Sequence, residues 1–515
     1  MLQRLGRRAA ALALAQLFGP ARAQPTPAPW PAGLGDPFTL GVASGMPRPD
    51  SVVIWTRLAP RPLEPGGGLP PRAFQVRWEV AEDERFVRIV RHGEFLARPE
   101  RAHAVHVEVD GLSSGRGYHY RFRAGDALSP VGRTRTAPAE DAPVRRLRLA
   151  LASCQHYEQG WYAAHREIAG RELDLVLFVG DYIYESTSAR QRVREHEGPV
   201  PHTLEAYRAR HATYKLDADL RAAHAAHPWV LTWDDHEVEN DYAAESSPSG
   251  LDAAAFLRRR AAAYQAYFEH LPLAPARAPH GPQMRIHESY RWGRLAELWT
   301  LDARQHRSVQ ACGGGRAGGR VLSACAELAD PTRTVLGGEQ ERWLAQGLAG
   351  SDRPWKLLAQ ASQFSASGVG APPLDQRIYS DGWDGYPRAR ERLLDAIAAA
   401  SGNTLVLGGD VHRHVAAQLR LRPGDERSPV VATEFVCSSI TSRGLAEPLV
   451  AAMRASNPDL LHARSDERGY ALVELTPQAA LCDFRAAPHP VQPGAALHSQ
   501  ARFVVESGRP GVARD

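Results

Sequence analysis

Four short apolar runs in this chain break off in residues that can bind metal or move protons. LRLALAS ends at Cys154-Gln155, and LVLFVG ends at Asp181 with Tyr182 and Tyr184 close behind. WVLTW ends at Asp234-Asp235-His236-Glu237, and LVLGG ends at Asp410 with His412 two residues on. Carboxylates suit hard cations such as Ca²⁺ and Mg²⁺, whereas imidazole and thiolate favour transition metals. A set that mixes Cys, Tyr, Asp and His points to iron for its softer half. Phenolate stabilises Fe³⁺ over Fe²⁺, so Tyr184 argues for a ferric ion, and Asp181 has two oxygens with which to bridge two metals. Taken singly, each residue has a plainer reading: a small buried thiol, a Gly-Asp turn, a structural Asp–His hydrogen bond. Their order, and their shared position at strand ends, argue for a site instead. Nucleophile-based chemistry has no foothold: there is no Gly-x-Ser-x-Gly elbow and no phosphate-cradling glycine loop with a lysine. The chain's only lysines are Lys215 and Lys356.

The elements that must hold these residues read as an α/β domain. From residue 145, LRLALAS, LDLVLFVGD, WVLTWDD, LAELWTLD, WKLLAQAS, NTLVLGGD and VVATEFV are nearly continuous apolar runs, the signature of strands buried on both faces. Helical stretches such as Ala253 to Glu269 and Pro387 to Ala400 alternate with several of them. In such sheets, ligands gather beyond the carboxyl ends of the strands. Residues 38–138 read differently. SVVIWTRL, FQVRWEV, HAVHVEV and YHYRFRA are short segments rich in β-branched and aromatic residues, separated by Gly and Pro turns. With Gly111-Leu112 ahead of Tyr118 and Tyr120, they suggest a fibronectin/Ig-like sandwich. The Pro-rich stretch 24–36 reads as a linker or cover strand.

The 515 residues support more than one domain and a large core. The net charge of +4 belongs to the first 23 residues, which hold Arg4, Arg7, Arg8, Arg22 and no acid. Without those four, the 62 basic residues fall to 58 and equal the 58 acidic ones, so nothing indicates nucleic-acid binding. Residues 1–23 read as a cleavable export signal: a basic start, an apolar run from Ala9 to Phe18, and Ala21-Arg22-Ala23 before Gln24. Arg7-Arg8 hints at the twin-arginine machinery. Ten apolar residues fall short of the about 20 that span a bilayer. The expected location is periplasmic or secreted, where a disulfide can persist. Cys312 and Cys325 bracket a Gly-rich loop and are expected to be bridged, while Cys437 and Cys482 lie in strand-like apolar runs and read as core. His224 and His227 read as surface residues and Arg258-Arg259-Arg260 as a solvated helix face. Among the tryptophans, Trp383 in DGWDGYP is set apart as one that can line the site.

The ordered motifs resemble the alkaline phosphatase D family of exported metallophosphatases. The matching stretches are FTLGVASGMPRPDSVVIWTRLAP (38–60), ASCQ (152–155), VGDYIYE (179–185), TWDDHEVENDY (232–242), LDARQHRS (301–308), DGWDGYPRARERLL (381–394) and GGDVH (408–412). The resemblance implies a four-layer α/β/β/α metallophosphoesterase domain over residues 145–507, behind an N-terminal sandwich over 36–138. It implies Fe³⁺ held by Cys154, Asp181, Tyr184 and His412. It also implies Ca²⁺ shared by Asp181 with Asp235 and Asp410, with Asn240 as a further ligand or phosphate contact. Arg304 is expected beside the phosphate and His236 beside the leaving group. Ala303 and His306 depart from the family's usual LDTRQYR. The implied reaction is hydrolysis of small phosphate esters, mono- or diester, by metal-activated hydroxide. Phospholipase-type phosphodiester cleavage is an alternative within that class. A non-catalytic surface-binding protein with structural metals is the alternative outside it.

Overall fold

A computed structural model describes residues 29–370 and 376–514. The export signal expected at 1–23 lies outside them. All seven apolar runs are strands, divided between two sheets. Leu147–Ala152, Leu175–Val179 and Pro228–Thr232 lie side by side and parallel at the middle of a ten-stranded sheet. Ala296–Thr300, Trp355–Ala359, Asn403–Gly408 and Val430–Val436 run parallel in a seven-stranded sheet. Continuous apolar strands need cover on both faces, and both sheets have it. Leu149, Leu151 and Leu177 of the first share one core with Leu357, Leu405 and Phe435 of the second. The outer side of the first sheet is covered by helices Ala163–Gly170, Leu204–Lys215, Ala218–Ala226 and Ala253–His270, whose Ile168, Tyr207, Leu220 and Phe256 join that core. Helices Gly338–Gly350 and Pro387–Ala399 pack Leu344, Leu348, Leu394 and Ile397 against Leu358 and Val406 of the second. The fold is a four-layer α/β/β/α sandwich.

The N-terminal region is all-β, as its alternating segments suggest, but its strands serve two sheets. Phe74–Ala81, Ile89–Ala97, Gly117–Ala124, Ala127–Leu128 and Gly132–Arg135 form an antiparallel sheet of their own. Val42–Gly45, Val52–Arg57 and Ala104–Val109 instead extend the ten-stranded sheet, where Val42–Gly45 pairs in parallel with Pro228–Thr232. Val42, Ile54 and Val107 meet Val76, Tyr118 and Phe122 in one core, so the N-terminal sheet packs on this extension of the larger one. The described part of the Pro-rich stretch runs as turns, not a strand, and lays Trp30 on Phe74 with ring centroids 5.2 Å apart. The far side of the ten-stranded sheet is built by Glu467–Leu475, Ala479–Pro488 and His498–Glu506, with Ala513–Arg514 at its edge. Among the described residues, no helix is long and apolar enough to cross a membrane.

Cys312 and Cys325 are bridged, and Cys437 and Cys482 are buried. Three surface expectations are corrected. His224 and His227 are buried: they sit where helix Ala218–Ala226 turns into strand Pro228–Thr232 and face the sheet. His224 stacks on Trp229 at 3.8 Å and His227 meets the Ile168 carbonyl at 2.9 Å. Only Arg258 of the triple arginine is exposed. Arg259 reaches Tyr207 and Glu239, and Arg260 donates to the Pro282 and Ala244 carbonyls, so this helix face is buried beneath loops.

Candidate active site

The strand ends of the two sheets converge at one spot, and close packing of their backbones explains the glycines there. A Cβ on Gly409 would stand 2.4 Å from the Ser153 Oγ, so the second sheet's Gly-Gly-Asp can meet the first sheet's Ser-Cys only without side chains. At Gly180, φ is +110° and a Cβ would lie 2.7 Å from the Asp234 Cβ. The reactive residues follow directly. Cys154, Asp181, Asp410 and His412 all adopt left-handed backbone, at φ of 58°, 56°, 62° and 51°. Such strain in non-glycine residues persists where the surroundings over-determine it and gathers at functional sites. Here the Ser442 hydroxyl donates to the Cys154 carbonyl at 2.8 Å, and Glu237 takes the Tyr182 N–H at 2.7 Å and the Asp234 N–H at 2.9 Å.

The softer group of ligands expected from the sequence is brought together. Donor atoms of Cys154, Asp181 and His412 lie within 4.8 Å of one another. The Tyr184 hydroxyl joins them, donating to Asp181 Oδ2 at 2.8 Å and lying 3.0 Å from His412 Nε2. His412 Nδ1 donates to the Arg443 carbonyl at 2.7 Å, so Nε2 presents its lone pair inward. Burial, then Arg468, holds this imidazole neutral, at about 3. One phenolic proton thus faces two acceptors, and the remaining Asp181 oxygen is buried without a hydrogen-bond partner. Burial raises the Cys154 thiol and the Tyr184 phenol, both pushed further by the charge of Asp181; burial also raises the Asp181 carboxyl, with His236 opposing and Asp235 adding to the shift. Thiol, phenol, carboxylate and imidazole all aim lone pairs at one point, and an orphaned carboxylate oxygen sits among them. This donor set fits a cation.

The harder group is arranged on the other side of Asp181. Asp181, Asp235 and His236 form one cluster within 4.8 Å, and Asp235, Asp241 and Asp381 form another. Asp410 comes from the facing sheet and accepts from the Ser362 hydroxyl at 2.7 Å. Burial and the charge of Asp235 raise its carboxyl to about 6. Asn240 is exposed and reaches the cluster through its backbone, whose N–H donates to Glu185 at 2.9 Å. His236 lies against the Tyr184 ring at 4.1 Å and hands Nδ1 to Glu185 at 2.6 Å. Burial opposes its charge, but Glu185, Asp181 and Asp235 outweigh that and lift its pKa well above the ordinary value.

Arg304 is turned onto carboxylates. Its Nε bonds Asp234, its Nη1 donates to Asp381 at 3.0 Å, and its Nη2 lies 2.8 Å from Asp381 and 3.5 Å from Asp235. The guanidinium is 1% exposed and spent on three carboxylates, so Arg304 holds the acidic cluster in place. The adjoining His306 is exposed, which puts that departure from the family pattern on the outside.

Several site residues escaped the sequence reading. Asp381, the partner of Arg304 and Arg307, lies in DGWDGYP, and Glu185 closes VGDYIYE. Both motifs are visible in the sequence, but only the fold shows which acid meets which base. Asp241 accepts from the Tyr379 hydroxyl at 2.7 Å and the Gly319 N–H at 2.9 Å, contacts across more than 70 residues that no local spacing announces. Trp383 does line a cavity together with Asp410 and His412.

Two facing sheets between helices, with carboxylates, thiol, phenol and imidazole at their joined strand ends, define a phosphoric ester hydrolase. Residues 149–484 match the PhoD-like phosphatase family, and residues 25–138 match the N-terminal domain of PhoD-like phosphatases. Alkaline phosphatase D of Bacillus subtilis (strain 168) is 46% identical over 491 residues, covering 92% of this chain and 82% of that protein. A solved structure of PhoD, 44% identical, superposes with a TM-score of 0.88 over 93% of this chain and 92% of its own. The chain belongs to the PhoD-like phosphatase family. The non-catalytic surface-binding alternative is thereby set aside.

Proposed function

We propose that the protein is an exported alkaline phosphatase/phosphodiesterase that uses Fe³⁺ and Ca²⁺. Cys154, Asp181, Tyr184 and His412 would hold the iron; Asp181, Asp235 and Asp410, with Asn240 at the margin, would hold calcium. The observation that carries this reading is the set of four unlike donors around the unpartnered Asp181 oxygen. Such ions, when bound, make water a nucleophile near neutral pH and neutralise phosphoryl charge. The chain's own residues do the rest. Glu185 fixes His236 by Nδ1, which leaves Nε2 as the nitrogen that can pass a proton to the leaving oxygen. Arg304 keeps Asp234, Asp235 and Asp381 in register. We further read residues 1–23 as the leader that brings the chain to the periplasm or medium, 36–138 as the sandwich unit and 145–507 as the catalytic unit.

The test is turnover of p-nitrophenyl phosphate and bis(p-nitrophenyl) phosphate, with elemental analysis and with a chelator. Activity on either ester that chelation abolishes and Ca²⁺ restores is the expected result. Iron with a visible charge-transfer band, weakened and shifted in Tyr184→Phe while the Cys154 contribution remains, is the expected spectrum. A colourless, fully active zinc protein would overturn the ferric assignment.

A further inference from the structure

Two cavities meet at this centre, and their walls differ in kind. One, of about 570 Å³, takes in Asp410 and His412 and is walled by Tyr379, Trp383, Leu445, Leu449 and Met453. The other, of about 360 Å³, is lined by His156, Ser188, His236 and Ser442. His412 and Arg443 line both, so the cavities join beside the candidate ligands. Single exposed apolar side chains are ordinary, whereas a cluster of them marks a contact surface. Of the ten large apolar side chains left exposed by the described residues, four line the larger cavity: Val321 at 68%, Tyr379 at 50%, Leu445 at 39% and Leu449 at 42%. Leu449 and Met453 are one turn apart on helix Glu447–Ser456, so they face the cavity as a pair.

We propose that the larger cavity is the subsite for an apolar ester arm, alkyl or aryl, of a phosphodiester, with Leu445 and Leu449 setting the preference for it. The proposal rests on the phosphoester reading above. The phosphorus lies beside Asp410 and His412, and the polar cavity past Ser188 takes the other, hydroxylated arm. Each methylene that leaves water for the leucine wall is worth up to about fourfold in kcat/KM.

The test uses the metal-loaded protein and 2-hydroxyethyl phosphate esterified with methyl, butyl or octyl, followed by ³¹P NMR. The octyl:methyl ratio of kcat/KM is expected to exceed 10 through KM. It should collapse in Leu445→Ser and Leu449→Ser, yet persist in Leu481→Ser, an exposed leucine on strand Ala479–Pro488 outside the cavity. A flat wild-type series, or a ratio unmoved by both cavity variants, overturns the subsite while leaving the phosphoesterase reading intact. A length dependence that begins only at the octyl ester's micelle concentration means binding to aggregates and also overturns it. Loss of all turnover would instead indict the phosphoesterase reading. Calorimetric binding of the same esters would then decide the subsite: length-dependent affinity that both leucine variants abolish supports it, and its absence overturns it.

Discussion

This protein buries two clusters of titratable side chains, one acidic and one basic, and treats them differently. The acidic one lies at the strand ends on left-handed backbone, around an unpartnered Asp181 oxygen and a guanidinium shared by three carboxylates. The basic one lies between strand Val52–Arg57 and the helices Leu204–Lys215 and Ala253–His270. There Arg57 meets His270 at 2.6 Å, His211 stacks on His270 at 5.1 Å, and Lys215 rests over Trp55 at 4.3 Å. Both nitrogens of His211 and the Lys215 amine are buried without hydrogen bonds. Burial lowers every group here: it brings His211 to about 3 and drives Lys215 well below its ordinary value, while Arg57, brought to about 10, keeps its charge at neutral pH. His211 and Lys215 lie on a regular helix, Leu204–Lys215, and are not among the left-handed residues. Burial of charge is thus common to structure and site. What separates them is pairing and backbone: at the site three carboxylates share one guanidinium beside strained residues, whereas in the basic cluster an amine and an imidazole stand without hydrogen bonds on a relaxed helix.

Mutations that touch the acidic cluster should cost function and those in the basic cluster should not. The largest loss is expected for Asp181→Asn, because Asp181 stands in both candidate ligand groups. It should remove nearly all turnover of p-nitrophenyl phosphate while circular dichroism stays native; retained turnover would dissolve the contrast. His236→Ala should cost about 10²–10⁴-fold on an alkyl phosphate and less on p-nitrophenyl phosphate, whose leaving group needs no proton. Equal losses on both would deny His236 its role. Arg304→Met leaves three buried carboxylates without their cation and should cost ~3–5 kcal/mol in urea unfolding; added Ca²⁺ should recover part of it. The smallest effect on turnover is expected in the basic cluster. Lys215→Met should leave kcat unchanged and raise stability at pH 7 by ~1–3 kcal/mol. Between the lowered folded value and the ordinary 10.5, the unfolded chain holds a proton that the folded one lacks, so wild-type stability rises with pH across that window. Lys215→Met should flatten that slope, and an unchanged slope would mean that Lys215 is charged.

The strand ends were legible because each motif is local: a run of Val and Leu, then a reactive residue. That pattern marks Cys154, Asp181, Tyr184, Asp235, Asp410 and His412, of which Cys154, Asp181, Tyr184 and His412 lie together and Asp235 lies beside Asp181. Arg304 was legible as a site residue but not by its partners, since its three carboxylates come from residues 234, 235 and 381. His224, His227, Arg259 and Arg260 look like surface residues in sequence because polarity is visible and packing is not. Each is buried with a polar atom met by a ring hydroxyl or a carbonyl from another segment, His224 through Nε2 alone. The change in strand pattern near residue 140 is visible in sequence, but not the sheet that the segments on either side of it share. That depends on Ser44 pairing with Pro228 across more than 180 residues.

The ten-stranded sheet also constrains the order in which the molecule can be assembled. Its first strand, Val42–Gly45, finds its parallel neighbour only at Pro228–Thr232, and Leu147–Ala152 finds its outer partner only at Glu467–Leu475. Pairings of such long sequence separation carry the loop-closure entropy of everything between them, so they form late and slowly. On the ribosome the early strands are made with their unpaired edges open until most of the chain has emerged. A truncation near residue 140 is therefore expected to yield an open-edged, aggregation-prone fragment and no self-contained catalytic piece.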